Sequence, residues 1–300
     1  MSLTSDLEQQ YGIHIIKKVK VRDVYQISTR SHGVLCLKSY NITEAEMHFI
    51  TQVFAHLSQN GFRFSPRVLC TSSHSYWITR EGVHYMLTNW VKGEHPRFHR
   101  SYHFKKGIRL LTKFHSIADG FNAPYIPLER IRYNQLKEHI TSDRNLLEGN
   151  PKMKLMTSIC NEALNNLDNA TVLKAIADEE VRMAFVHGDY NYPNLVLDTS
   201  ESMHMIDFDN TSLHVRMEDF SHILHRNLAW HGYEMLRWIE YYDSKRPLSK
   251  GDLHVLHTLL LVPYPILRAL KQNKRNNRHH IRIPTVHRIK EYRNELKHLL

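Results

Sequence analysis

Short runs of apolar and β-branched residues, set among polar ones, occupy much of the first 90 residues. Ile15-Ile16-Lys17-Lys18-Val19-Lys20-Val21, Val24-Tyr25-Gln26-Ile27-Ser28-Thr29 and Val34-Leu35-Cys36-Leu37-Lys38 read as strands. The turn residues Arg30-Ser31-His32-Gly33 join the last two into a hairpin. A lead-in helix over residues 1–12 ends at Tyr11-Gly12. Thr43 followed by Glu46 forms a capping-box pattern, and Ile50, Val53, Phe54 and Leu57 then recur at helical spacing up to Gly61. A second hairpin is expected from Tyr76–Thr79 and His84–Thr88 around Arg80-Glu81-Gly82. Beyond Asn89 the period lengthens. Helices are expected over Tyr102–Ala118, with Phe104, Ile108, Leu111 and Phe114 on one face, then over Leu136–Leu147 and Met153–Ala177. Another opens near Met217, and an apolar run from Leu256 to Leu270 is broken at Pro263 and Pro265. A basic stretch, Lys271 to Arg282, precedes a last helix. The pattern predicts an α+β chain of two lobes, a small antiparallel one over residues 1–90 and a mainly helical one over 91–300.

One segment breaks the helical half. Residues 183–210, MAFVHGDYNYPNLVLDTSESMHMIDFDN, alternate brief apolar runs with turn residues, so a small hairpin is expected to hold polar loops. His187-Gly188-Asp189 interrupts the first run, Pro193-Asn194 precedes the second, and Met203–Ile206 delivers Asp207.

Composition changes this picture in only a few places. At 300 residues and 42% apolar content the chain is long enough for two cores. It lacks the apolar run of about 18 residues that a membrane-spanning helix needs. Its start has neither the basic nor the apolar portion of a secretory signal. Cys36, Cys70 and Cys160 are odd in number and far apart, which argues against a disulfide framework and for a reducing compartment. Forty Lys and Arg against 30 Asp and Glu give +10, which attracts anions without choosing among them. No helix-turn-helix, zinc-finger spacing or RNP signature points to sequence-specific nucleic-acid binding.

The residue types in 183–210 suit phosphoryl transfer, which needs a carboxylate to receive the proton of an attacking hydroxyl and oxygen ligands for Mg²⁺. Asp189 would be the base, with Asn194 and Asp207 as metal ligands. His187-Gly188-Asp189-Tyr190-Asn191-Tyr192-Pro193-Asn194 followed by Ile206-Asp207-Phe208-Asp209 resembles the aminoglycoside phosphotransferase and choline kinase branch of the protein-kinase-like fold. The resemblance implies ATP or GTP and Mg²⁺ as cofactors and a hydroxyl-bearing small molecule as acceptor. It makes Lys38 the strand lysine that neutralises phosphates, with Glu46 as its helix partner and Glu44 as the fallback. Thr88, Asn89 and Trp90 become the hinge that meets a purine edge. It leaves Asp219 two readings, a brace for the catalytic loop or a plain N-cap. One expected element is missing, because Lys18–Val24 contains no glycine where many kinases have a Gly-rich loop. His95, His99 and His103 lie four apart and would share a metal-binding face if all were helical, but Pro96 opposes this.

The tail and the segment Met47–Gln52 with His56-Leu57 resemble CotS-type spore coat proteins of endospore-forming bacteria. That resemblance implies spore coat proteins as partners and a place in the mother-cell cytoplasm or the spore coat. It also supplies a second function, a catalytically inactive coat scaffold that keeps the fold.

Overall fold

The computed structural model describes residues 2–149, 151–276 and 283–300. In chain order its elements are α1 (Leu3–Tyr11), β1 (Ile15–Val21), β2 (Val24–Thr29), β3 (Val34–Tyr40), α2 (Glu44–Gln59), β4 (Ile78–Arg80), β5 (Val83–Asn89) and α3 (Ser101–His115). The helices α4 (Leu136–Leu147), α5 (Lys154–Leu167) and α6 (Ala170–Val181) follow, then the short strands β6 (Phe185–Val186), β7 (Leu195–Leu197), β8 (Met203–Met205) and β9 (Ser212–Leu213). The chain continues through α7 (Met217–Leu228), α8 (Gly232–Asp243), α9 (Lys250–Leu261), α10 (Tyr264–Asn276) and α11 (Val286–Leu296). Sheet and helices together make the α+β class that the hydrophobic pattern predicts. The chain divides into two compact units: residues 1–96, 122–130 and 193–209 form the first, and 97–121, 131–192 and 210–300 the second.

In the first unit a five-stranded antiparallel sheet runs in the order β1-β2-β3-β5-β4. Its tight turns follow local chemistry. Glu81 and Gly82, at φ +51° and +76°, close the β4–β5 hairpin as the two central residues of a turn whose twist suits paired strands. Ile27, Leu35, Leu37 and Leu87 pack with Leu7, Tyr11 and Ile13 into one buried cluster, so α1 is held by the sheet it precedes. Helix α2 begins with the expected capping box: Glu46 N–H donates to the Thr43 hydroxyl, and Thr43 N–H donates to the Glu46 carboxylate. The β7–β8 hairpin belongs to this unit and is tied to it by the Glu94–Leu197 bridge. The close approach there needs Gly93, because a Cβ would lie 2.2 Å from the Leu197 carbonyl oxygen.

The second unit is helical apart from the β6–β9 pair. Helix α3 buries Phe104, Ile108, Leu111 and Phe114, the face expected from their spacing. The single helix expected over Met153–Ala177 is instead two, α5 and α6. Asn169 explains the break, since its side chain accepts from Thr171 N–H and caps a new helix. Helix α9 stops at Leu261, and Val262 turns extended (ψ 124°) ahead of Pro263, as steric conflict with a following proline demands. Among the described residues no single helix is long and apolar enough to cross a membrane. Part of the basic stretch, 277–282, lies outside the described residues.

Candidate active site

The first unit contains a cavity of about 220 Å³ whose lining includes Lys38, Thr88, Asn89, Trp90, Asn194 and Asp207. Six of the eight residues singled out from the sequence therefore surround one space. Lys38 projects from β3 and its Nζ lies 2.5 Å from Asp207 Oδ1 and 2.8 Å from Asp209 Oδ1. Burial alone would lower the Lys38 pKa, but the two carboxylates outweigh it and the net shift is upward. Asp209 is raised chiefly by burial, with the neighbouring Asp207 charge adding and Lys38 opposing. Asp207 itself sits at φ +67°, a left-handed conformation that aspartate tolerates better than most residues. The hairpin imposes this turn: Ile206 N–H donates to the Asn194 carbonyl at 2.9 Å, which also sets Asn194 beside Asp207 in the chain's path. Two carboxylates and an amide oxygen are hard oxygen donors, the set that suits Mg²⁺. The half-buried, mutually repelling carboxylates also call for a cation, a place that Lys38 takes here.

Two sequence expectations change on this scaffold. Glu46 does not pair with Lys38. Its carboxylate accepts from Arg130, whose Nε is 3.1 Å and Nη2 3.0 Å away, while Arg130 also donates to the Asp209 carbonyl. Glu46 is thereby spent on its own helix cap and on Arg130, and Lys38 is drawn instead to the two aspartates. At the hinge, Asn89 N–H donates to the Arg67 carbonyl at 3.0 Å and Trp90 N–H to the Val34 carbonyl at 3.1 Å. The sheet consumes both amides, so among the described residues the next one along the wall, Val91 N–H, is the amide left without an acceptor. The glycine-free β1–β2 connection is a two-residue turn, Arg22-Asp23, with Arg22 at φ +56°, and both residues line the cavity.

Asp189 lies in the second unit. Its Oδ1 accepts from Arg226 Nη1 at 2.6 Å, and Arg226 Nε and Nη2 donate to the Tyr264 hydroxyl at 3.1 and 3.0 Å. The loop carrying Asp189 is held by Asp219. That side chain, fully buried on the first turn of α7, accepts from His187 N–H at 2.7 Å and from Gly188 N–H at 2.9 Å. Asp219 is thus a brace and not an N-cap, since the N-cap of α7 is Arg216. Burial alone would raise its pKa; His115, His187 and the accepted bonds outweigh that and hold it low. Tyr190 anchors the next position by donating to the Gly107 carbonyl at 2.6 Å. Gly188, at φ +80°, has no room for a Cβ, which would stand 2.2 Å from the Asn210 carbonyl oxygen. His187 is wholly buried and its Nδ1 faces Asp189 N–H at 3.3 Å, so it shapes the loop. His95 and His99 precede α3 and cannot share a helical face with His103, and among the described residues no group of three or more His, Cys, Asp or Glu could hold a metal.

Four residues escaped the sequence reading: Asp209, Val91, Arg130 and Arg226. Only Asp209 carried a local signal, standing two positions after Asp207 in the same loop.

Known proteins share the fold and the family of this chain. The model of the phosphotransferase enzyme family (APH) matches residues 19–245. Spore coat protein S of Bacillus subtilis (strain 168) is 22% identical over an aligned 290 residues, covering 87% of this chain and 81% of that one. The aminoglycoside phosphotransferase of Alicyclobacillus acidocaldarius superposes with a TM-score of 0.77 at 18% identity, covering 100% of this chain and 96% of that one. An amicoumacin kinase, solved with AMP-PNP, Ca²⁺ and its ligand, gives 0.65 at 13% identity and covers 98% of this chain and 92% of that one. With a kinase-like α+β fold and a family match over residues 19–245, this chain belongs to the phosphotransferase enzyme family.

Proposed function

We propose that this chain transfers the terminal phosphoryl group of ATP or GTP to a hydroxyl of a small molecule, with Mg²⁺. The observation that carries the reading is the joining of Lys38, Asp207 and Asn194 at one cavity whose wall also offers the unpaired Val91 amide, with Asp209 bound to the Lys38 ammonium at 2.8 Å. Asn194 and Asp207, with Asp209, would hold Mg²⁺, which supplies charge neutralisation to the phosphates when bound. Lys38 then turns from carboxylates to phosphate oxygens. The hinge Thr88–Trp90, extended to Val91, meets the base edge, while Glu46 acts indirectly by fixing Arg130 against the Asp209 backbone. Asp189 orients the acceptor hydroxyl and takes its proton as the new O–P bond forms and the β–γ bridging bond breaks, releasing the nucleoside diphosphate.

The test is calorimetric titration of ATP and GTP with and without Mg²⁺ on the wild type and on Asp207→Asn. Binding that requires Mg²⁺ and weakens in the variant is expected. No binding of either nucleotide at millimolar concentration would end the enzyme reading. The likeness to a spore coat protein and the glycine-free Arg22-Asp23 turn favour a second reading, a catalytically silent coat scaffold that binds other coat proteins. Under both readings the chain would be found in the mother-cell cytoplasm, the spore coat or both.

A further inference from the structure

Outside the nucleotide cavity, the charge around Asp189 is unusual for a site that must receive a hydroxyl compound. Arg226 is largely buried and neutralises Asp189 at 2.6 Å. Its other nitrogens are fixed on the Tyr264 hydroxyl at 3.1 and 3.0 Å. Tyr264 is itself held by its ring neighbours, with the His222 ring centroid 4.5 Å and the His225 centroid 5.9 Å away. This tyrosine is shared between two environments. Its side chain touches the Asp189–Arg226 pair, and it also lines a separate cavity of about 300 Å³ with Asp143, Leu267, Arg268, Lys271 and Gln272. All of these residues lie in the second unit.

The lining is unbalanced. Asp143 is taken by Lys271 at 2.5 Å, whereas Arg268 has no acidic partner among the described residues. The carboxylate of this lining, Asp143, and the one linked to Tyr264 through Arg226, Asp189, are each already matched by a cation. An ammonium group entering here would find the one carboxylate of the lining, Asp143, already taken and the Arg268 guanidinium beside it. A carboxylate or phosphate would find Arg268 open to it and Lys271 within the same wall, with the fork of Arg268 suited to two oxygens at once. We propose that the acceptor is a hydroxyl compound that also bears a carboxylate or phosphate group, held by Arg268 and Lys271 across Tyr264 from Asp189. The inference rests on the phosphotransferase reading for the role of Asp189, and it names the substrate class of that site.

Matched three-carbon compounds that differ in charge test it: glycerol, glycerate, glycerol 3-phosphate and 3-amino-1,2-propanediol, each titrated calorimetrically against the full chain and against Arg268→Glu. Glycerate or glycerol 3-phosphate should bind at least about tenfold more tightly than glycerol or the amine. The preference should weaken as salt rises. In Arg268→Glu the acid-bearing compounds should lose about tenfold or more in affinity. Arg268 is exposed, so the variant should keep the thermal midpoint of the wild type, which separates lost binding from lost folding. The two acids tell carboxylate from phosphate recognition. Binding that ignores charge, a preference for the amine, no binding of either acid at about 10 mM, or acid binding unchanged in Arg268→Glu would each overturn the proposal. A parallel Mg-ATP titration keeps the two readings apart. Acid binding without nucleotide binding removes the phosphotransferase reading and leaves an anion site. Nucleotide binding with charge-blind acceptors does the reverse.

Discussion

Replacing Asp219 by asparagine removes a charge and one acceptor face while leaving the side chain's shape intact. Asp219 is fully buried and accepts from two consecutive backbone amides, His187 at 2.7 Å and Gly188 at 2.9 Å. An asparagine oxygen can accept one of these; its amino group must then point at the other N–H, donor against donor. The variant therefore loses one charge-assisted bond, about 1.5–3 kcal/mol, and leaves a buried N–H unpaired, about 1–3 kcal/mol. A loss of roughly 3–5 kcal/mol in unfolding free energy is expected. Urea denaturation followed by tryptophan fluorescence measures it, and amide hydrogen exchange at His187 and Gly188 should quicken locally even in the folded state. Activity should fall as well, since these two amides immediately precede Asp189. A change under about 1 kcal/mol with unaltered exchange would show that the brace carries no energy, and the account of how the loop is positioned would fail.

Gly188→Ala is expected to destabilise by more than the roughly 1–2 kcal/mol of left-handed strain, because its Cβ would also displace the Asn210 carbonyl 2.2 Å away; thermal unfolding reads this, and a wild-type midpoint would contradict it. His115 and His225 are buried and neutral, their pKa values pushed down by burial from 6.5 to about 4. Their folded values are depressed, so the unfolded chain binds more protons between pH 6.5 and 4, and stability that is complete above pH 6.5 is lost as pH falls through that window. At pH 5 the loss should be about 2 kcal/mol per histidine; equal denaturation free energies at pH 7 and 5 would refute it, and His225→Gln should remove part of the slope. Lys38→Met removes the ammonium that bridges the half-exposed Asp207 and Asp209, so about 1–3 kcal/mol should be lost near pH 7, and millimolar Mg²⁺ should raise the variant's thermal midpoint more than the wild type's.

What could be read from the sequence was whatever is decided within a few residues. The Thr43–Glu46 box, the Glu81-Gly82 turn and the apolar face of α3 are local contracts between neighbours, and each appears where the pattern put it. The run from His187 to Asp207 was also legible, because a hairpin returns its own chain and so keeps Asn194 and Asp207 together, as the Ile206–Asn194 backbone bond shows. The partner of a charged side chain is a different kind of fact. Glu46 met Arg130, 84 residues on, and Asp189 met Arg226, 37 residues on; neither spacing has a period that a sequence pattern could reveal. The same holds for the hinge, where the strand pattern marks the right wall but cannot say which amides the sheet consumes. Asn89 and Trp90 are consumed and Val91 is not, because Arg67 and Val34 happen to lie opposite. Chemistry that depends on a residue type in a loop is therefore readable early, whereas chemistry that depends on which charges neutralise each other waits for the fold. Acceptor choice belongs to the second kind. A chain of net charge +10 says only that anions are attracted somewhere, while the pairing of Asp189 with Arg226 and of Asp143 with Lys271, leaving Arg268 over, says where and to what.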